Sequence, residues 1–476
     1  MLFNSWRYLL FFAAVLGVYW LLDRKKQNVL LVLASYFFYG VWDWRFTGLL
    51  LGTTIVGFVC GRKIHEAAAA KDRRFWLILC VVYNLGTLAV FKYLGFFLDN
   101  FLALLARFGV ESEPVFLRII LPVGISFFNF HVLSYAIDLY RKEIEPTPRF
   151  ADFALFVSFF PLLVAGPIER AKHLLPQIAA PRRLDGVMVR QGLWLLFWGL
   201  WKKVFVAENL SPYVDRAFAN SAALSLPELY LAAVAFAFQI YCDFSGYTDL
   251  ARGSAKLMGF DLLNNFNLPY FAANPSDFWK RWHISLSSWL RDYLYISLGG
   301  NRKGKAKTYR NLFLTMVIGG LWHGAAWNFV LWGVFHGLIL IVHHAWSAAA
   351  GIRPPKWIAI AIMSQFTLIG WILFRANRTV ALDHRLADDS LRQIGELFGA
   401  FGRGFQGGIG LLADAPTIAL IILPLLAIQV VKYLWNDQFW IFRLPWAYSA
   451  CIQAFLAFLL IRFGVQAGDS FIYFQF

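Results

Sequence analysis

Apolar runs recur along the whole chain, many of them close to the ~20 residues a helix needs to cross a bilayer. No other feature limits the fold as tightly. Inside hydrocarbon every backbone polar group must be satisfied internally, which leaves helices and closed barrels as the only spanning structures. These runs are continuously apolar rather than alternating, and that excludes a barrel. The composition agrees: 59% of the residues are hydrophobic and 15% charged, far from the mix of a soluble domain. The expectation is an all-α, polytopic integral membrane protein with one membrane domain over residues 1–476.

Spans are expected at roughly 8–22, 28–44, 46–60, 75–97, 115–135, 150–166, 188–206, 227–244, 311–323, 326–346, 356–374, 416–435 and 446–463. The first follows Arg7 and stops before Asp23-Arg24-Lys25-Lys26, where no small-residue cleavage site is present. It therefore reads as a retained span rather than a signal peptide.

Lys and Arg number 44 against 28 acidic residues, a formal charge of +16. Much of the excess sits in short connectors such as DRKK at 23–26, KDRR at 71–74 and PRR at 181–183. A positive-inside bias accounts for this pattern; attraction of an anionic substrate to the cytoplasmic face is the sharper reading. Nucleic acid is not an expected partner. Cys60, Cys80, Cys242 and Cys451 share no metal-ligand spacing and read as packing residues.

Two segments break the succession of spans. Residues 243–310 hold too many charges and prolines to cross lipid, yet are dense in Trp, Phe and Leu, as in FWKRWHISLSSWLRDYLYISL from Phe278 to Leu298. They read as an interfacial or re-entrant cytoplasmic segment, tolerated at that depth only where protein or a cavity surrounds it. Residues 378–415 combine a charged amphipathic piece with the Gly-rich GRGFQGGIG and read as an extramembrane loop.

His323 is the first candidate for chemistry. It lies in GGLWHGAAWN, within a stretch from Leu312 to Ile341 whose only ionisable side chains of acid or base type are histidines. An ionisable residue inside a membrane is a functional-site hypothesis by default. A desolvated imidazole stays neutral near pH 7 and can accept a proton. The flanking Gly319, Gly320 and Gly324 would admit a substrate or another backbone. A core histidine satisfied by a neighbouring carbonyl is the structural alternative.

His283 is the second. On a helix it would share a face with Trp279 and Ser287, in basic surroundings set by Lys280 and Arg281, although a surface helix bearing Trp, Lys and Arg is ordinary. His336 and the His343-His344 pair follow on the span after His323, with no H-E-x-x-H motif or carboxylate beside them, so no metal site is expected. Asp243, Tyr247 and Asp249 introduce polar groups where a span ends; they could hold a histidine tautomer, and pairing with Arg252 is the structural alternative. GGNRKGK at Gly299 to Lys305 mimics a P-loop, but Ala306 follows where Ser or Thr is needed and no strand precedes it.

YCDFSGYTDLA, the run NFNLPYFAANPSDFWKRWHISLSSWLRDYLYISLGGNR and GGLWHG together resemble the membrane-bound O-acyltransferase family. Within it, the likeness is to the membrane subunits that acetylate bacterial exopolysaccharides, alginate among them. LPVGISFFNFHVLSYAIDLYR and FPLLVAGPIER fit the same group, and the similarity runs from about residue 1 to 375. The resemblance implies a ring of tilted helices around a funnel, in the bacterial inner membrane. It implies acetyl-CoA or a similar cytoplasmic thioester as donor, with no bound cofactor. A periplasmic SGNH-type esterase or transferase partner and an extracytoplasmic polysaccharide acceptor are implied as well. His323 matches the histidine this family uses in catalysis, and His283 the second characteristic histidine region.

The sequence given closes on FIYFQF, residues 471–476, four aromatic rings of which one is a phenol, with nothing polar after them. It is similar to the F-x-Y-x-x-F tail of the small accessory protein of bacterial D-alanylation, with Phe471, Tyr473 and Phe476 filling the pattern. The resemblance implies that Tyr473 carries the acyl group transiently near His323; a tail that only anchors the last helix is the plainer reading. Two alternatives stay open: a D-alanyl or other acyl transferase fed by a carrier protein, and a proton-coupled transporter or channel.

Overall fold

The computed structural model describes residues 1–109, 120–164, 166–349, 354–382 and 385–465. Among them, seven helical stretches are long and apolar enough to cross a membrane. Among the described residues the only strands are Thr379–Leu382 and Arg385–Asp388, which pair antiparallel; the other regular elements are helical. It divides into two compact units, residues 1–196 with 248–264, and residues 197–247 with 265–476.

In the first unit, the expected spans at 28–44 and 46–60 are the helices Arg24–Asp43 and Thr47–Glu66, joined by a 3₁₀ turn at Trp44–Phe46. Asp23 caps the first of them by accepting from the amides of Lys25 and Lys26, which uses donors a helix start leaves orphaned. The stretch 150–166 is not one helix. It breaks between Phe150–Ser158 and Phe160–Leu163, because Pro161 has no N–H to return to the preceding turn. The amide of Phe160 is satisfied instead by the Ser35 hydroxyl at 3.0 Å.

The helix expected to stop near residue 244 runs from Leu226 to Leu257. The charges that argued for a stop are paired: Asp243 with Lys203, Asp249 with Arg252, Lys256 with Asp261. Beyond it, residues 265–304 form only short pieces, a 3₁₀ turn at Pro269–Phe271, helices Pro275–Trp279 and Ile284–Trp289, and a π turn at Leu290–Tyr295.

The second unit is centred on a helical hairpin, Lys305–His323 and Trp327–Ala349, followed by Lys356–Arg375. Glycines set how closely the hairpin closes. A Cβ on Gly320 would lie 2.3 Å from the Phe329 carbonyl oxygen and 3.1 Å from Gly333 Cα. The sequence left open whether these glycines admit a substrate or a backbone; at Gly320 it is a backbone. Residues 378–382 and 385–415 comprise the two paired strands, the helix Ser390–Phe398 and a 3₁₀ turn at Leu411–Asp414. The amides of Ile409 and Leu411 both donate to Glu228, which ties the Gly-rich stretch to the start of a long helix.

Candidate active site

His323 is the last residue of its helix. Close packing of Gly320 on the next helix brings the imidazole against Trp332, 4.9 Å between ring centroids at 81°. Trp322 at 5.0 Å and Phe374 at 5.3 Å complete its aromatic surroundings, and the residue is 5% exposed.

His283 is fully buried, but not on the helical face that periodicity predicts. The helix ends at Trp279, and His283 adopts a left-handed conformation, φ 42°, just before Ile284–Trp289. The cause is tertiary. The amide of Asn267 donates to the Arg281 carbonyl, while Ile284 and Ser285 donate to the carbonyl and side-chain oxygens of Asn265. Those bonds replace the ones a continuing helix would make. A non-glycine residue held in this region is strained, and such strain concentrates at functional sites. The ring packs edge-on against Phe244 at 4.7 Å and against Trp322 at 5.9 Å. Neither of its nitrogens has a hydrogen-bond partner among the described residues.

Trp322 therefore lies between the two predicted histidines, and the structure brings them into one aromatic cage. His336 joins it, a residue the sequence reading set aside once no metal pattern was found. Its ring is 4.6 Å from Trp332 and 5.1 Å from Trp279, and it is buried. The rule that singled out His323, an ionisable group within an apolar span, would have found His336 too. Tyr473 lies outside the described residues.

A second polar cluster lies in the same unit, and of its charged members the sequence reading named only Asp243. Lys203 Nζ sits 2.5 Å from Glu208 Oε1 and 2.6 Å from Asp243 Oδ1, with all three side chains buried. Lys202 donates to the Ser245 hydroxyl at 2.8 Å. The two lysines lie on a π turn, Lys202–Ala207, in the run LWLLFWGLWKKVFVAENL. Two lysines inside an apolar span were the available signal. The two cations balance the two carboxylates, as burial requires.

Chemically, the cage offers a buried imidazole at a helix end, a second strained imidazole across a shared indole, and a wall of aromatic rings around both. A buried neutral imidazole of this kind can accept a proton from a hydroxyl. Residues 101–382 match the family model of MBOAT, the membrane-bound O-acyltransferase family. The chain is 43% identical over 383 residues to the probable alginate O-acetylase of Azotobacter vinelandii, covering 79% of this chain and 75% of that protein. It is 38% identical over 413 residues to the peptidoglycan O-acetyltransferase of Helicobacter pylori, covering 79% and 77%. With the teichoic acid D-alanyltransferase of Streptococcus thermophilus it shares 28% over 312 residues, covering 59% and 75%.

Proposed function

The chain belongs to the membrane-bound O-acyltransferase family, and from that premise we propose an O-acetyltransferase that carries acetyl groups across the bacterial inner membrane onto an extracytoplasmic polysaccharide. The burial of His323 in an aromatic cage shared with His283 is the observation that carries this reading. The relatives named for alginate and peptidoglycan acetylation support a polysaccharide as final acceptor. The donor is a cytoplasmic thioester, acetyl-CoA, and a periplasmic SGNH-type transferase completes delivery.

His323 acts as general base. It takes the proton from the Tyr473 hydroxyl as that oxygen bonds to the thioester carbonyl carbon. The tetrahedral species then collapses, the C–S bond breaks, and the thiolate leaves with the proton from His323. A phenol with a pKa of about 10 is a better leaving group than an alkyl alcohol, so the aryl ester stays activated for the next transfer. His283 supports the cytoplasmic approach to the cage.

Mass spectrometry of the purified protein after incubation with isotopically labelled acetyl-CoA tests this mechanism. Label on the C-terminal peptide, absent in Tyr473→Phe and His323→Ala, is the expected result. An unlabelled tail together with normal acetyl transfer would overturn the tyrosyl ester and leave direct transfer. The similarity to a teichoic acid D-alanyltransferase favours one second reading, a carrier-protein donor. Turnover with an acylated carrier protein but none with acetyl-CoA would establish it.

A further inference from the structure

An acyl transfer that passes through an oxyanion needs hydrogen-bond donors aimed at the carbonyl oxygen, and these are often backbone N–H groups. A helical cage offers few of them, since helix interiors spend theirs internally. The nearest free helix start is that of Trp327–Ala349, just after His323. Its first amides are taken: Trp327 N–H donates to Asp388 at 2.9 Å and Asn328 N–H to the Ser390 hydroxyl at 3.2 Å. With these two amides committed, a side chain is the next source of a donor.

We propose that the indole N–H of Trp332 is that donor, and that it holds the acyl carbonyl oxygen as negative charge develops on it. The inference rests on reading the cage as an acyl-transfer site. Trp332 is 1% exposed, and its Nε1 has no hydrogen-bond partner among the described residues. Buried polar atoms are nearly always satisfied, so an exception calls for a physical reason. This one does not stand alone. Trp279 Nε1, Trp371 Nε1 and His336 Nδ1 are likewise buried without a partner among the described residues, and their rings belong to the same cluster. Buried indole donors left over in one place suit an occupant that brings acceptor oxygens.

Trp332 has the best position of the three indoles. Its ring lies against His323 on one side, at 4.9 Å, and His336 on the other, at 4.6 Å. General base and oxyanion donor must both reach the reacting carbon from about 3 Å, so the donor has to lie next to the base, and Trp332 is in ring contact with His323. In the step itself, the nucleophile's hydroxyl proton passes to His323 as its oxygen bonds to the carbonyl carbon. The C=O π pair moves onto oxygen, where the indole N–H holds it. The pair returns as the C–S bond breaks, and the thiolate takes the proton from His323. The indole keeps its own proton throughout.

The test uses the full chain in detergent or nanodiscs, with acetyl-CoA and with its dithioester analogue, in which sulfur replaces the carbonyl oxygen. Sulfur accepts hydrogen bonds poorly, so the wild type should strongly prefer the oxygen substrate. Trp332→Phe keeps the ring and loses the N–H. The expectation is a fall in kcat on the order of 10²-fold, an almost unchanged KM, and loss of most of the oxygen-over-sulfur preference. Trp332→His, which keeps an N–H, should recover part of both; if the Phe variant does not fold, Trp332→Leu, which also lacks the donor, takes its place under the same expectations. A Phe variant with kcat within about threefold of wild type, or one with kcat lowered but the wild-type oxygen preference intact, overturns the proposal. A wild type that turns over neither thioester of coenzyme A but does use an acylated carrier protein overturns the coenzyme A donor alone. The carbonyl being held is the same, and the Phe comparison of kcat and KM on the carrier substrate then decides on Trp332.

Discussion

Gly333 meets the preceding helix backbone to backbone: a Cβ placed on it would lie 2.6 Å from the Met316 carbonyl oxygen and 2.9 Å from Val317 Cα. With Gly320 on the facing helix, it brings His323 within ring contact of Trp332. Gly333→Ala has no flexible side chain to displace, so the two helices must separate. Overpacking of this kind costs about 1–3 kcal/mol. The expected result is a lower unfolding temperature in detergent together with reduced acyl transfer. Unchanged stability would mean that the hairpin absorbs the methyl group by sliding.

Gly370 offers a subtler perturbation. A Cβ there would come 2.9 Å from His336 Nε2, against an imidazole wedged between Trp332 and Trp279. Gly370→Ala should push His336, and through Trp332 the reacting geometry, by a few tenths of an ångström. Misplacement near 1 Å can cost on the order of 10²-fold in rate, so a drop of roughly tenfold in kcat with little change in unfolding temperature is expected. Wild-type kcat in a folded Gly370→Ala protein would show that His336 does not govern the cage.

The buried Lys203 holds two carboxylates, Glu208 and Asp243. Lys203→Met removes the cation and leaves both acids in an apolar interior, a loss of about 3–5 kcal/mol when one partner of a buried pair is deleted. The variant should be poorly folded. Adding Glu208→Gln and Asp243→Asn removes the stranded charge and should restore much of the thermal stability. A triple variant no more stable than the single one would show that Lys203 contributes through packing instead.

Helix existence and membrane character were legible because bilayer-length apolar runs are a strong, local signal. Boundaries were less so. Asp243 and Asp249 argued for a helix end near residue 244, and only their partners Lys203 and Arg252 reveal why the helix continues to Leu257. His323 was legible as an ionisable group in an apolar span, and the family motif reinforced it. The left-handed backbone of His283 was not, since it depends on Asn265 and Asn267 bonding across to it. His336 was in plain view, but its membership of the cage follows from the close approach at Gly320 and Gly333, which no periodicity reports.

One pH dependence follows from a pair outside the long apolar helices. Glu169 is fully buried and accepts from the Leu263 amide at 2.6 Å, while His173 Nδ1 lies 2.7 Å from its other oxygen. The hydrogen bond to Glu169 raises the His173 pKa above its usual 6.5, and the charge of Asp261 adds to this. A group whose pKa is higher in the folded state stabilises that state fully below the unfolded value, and the contribution disappears as pH rises through the folded value. His173 is 36% exposed at its side chain, so solvent and salt screen the effect. Thermal unfolding of wild type and His173→Gln should therefore differ most near pH 6 and at low salt, and converge by about pH 9. A difference that stays constant from pH 6 to pH 9 would assign His173 a packing role with no part for its charge.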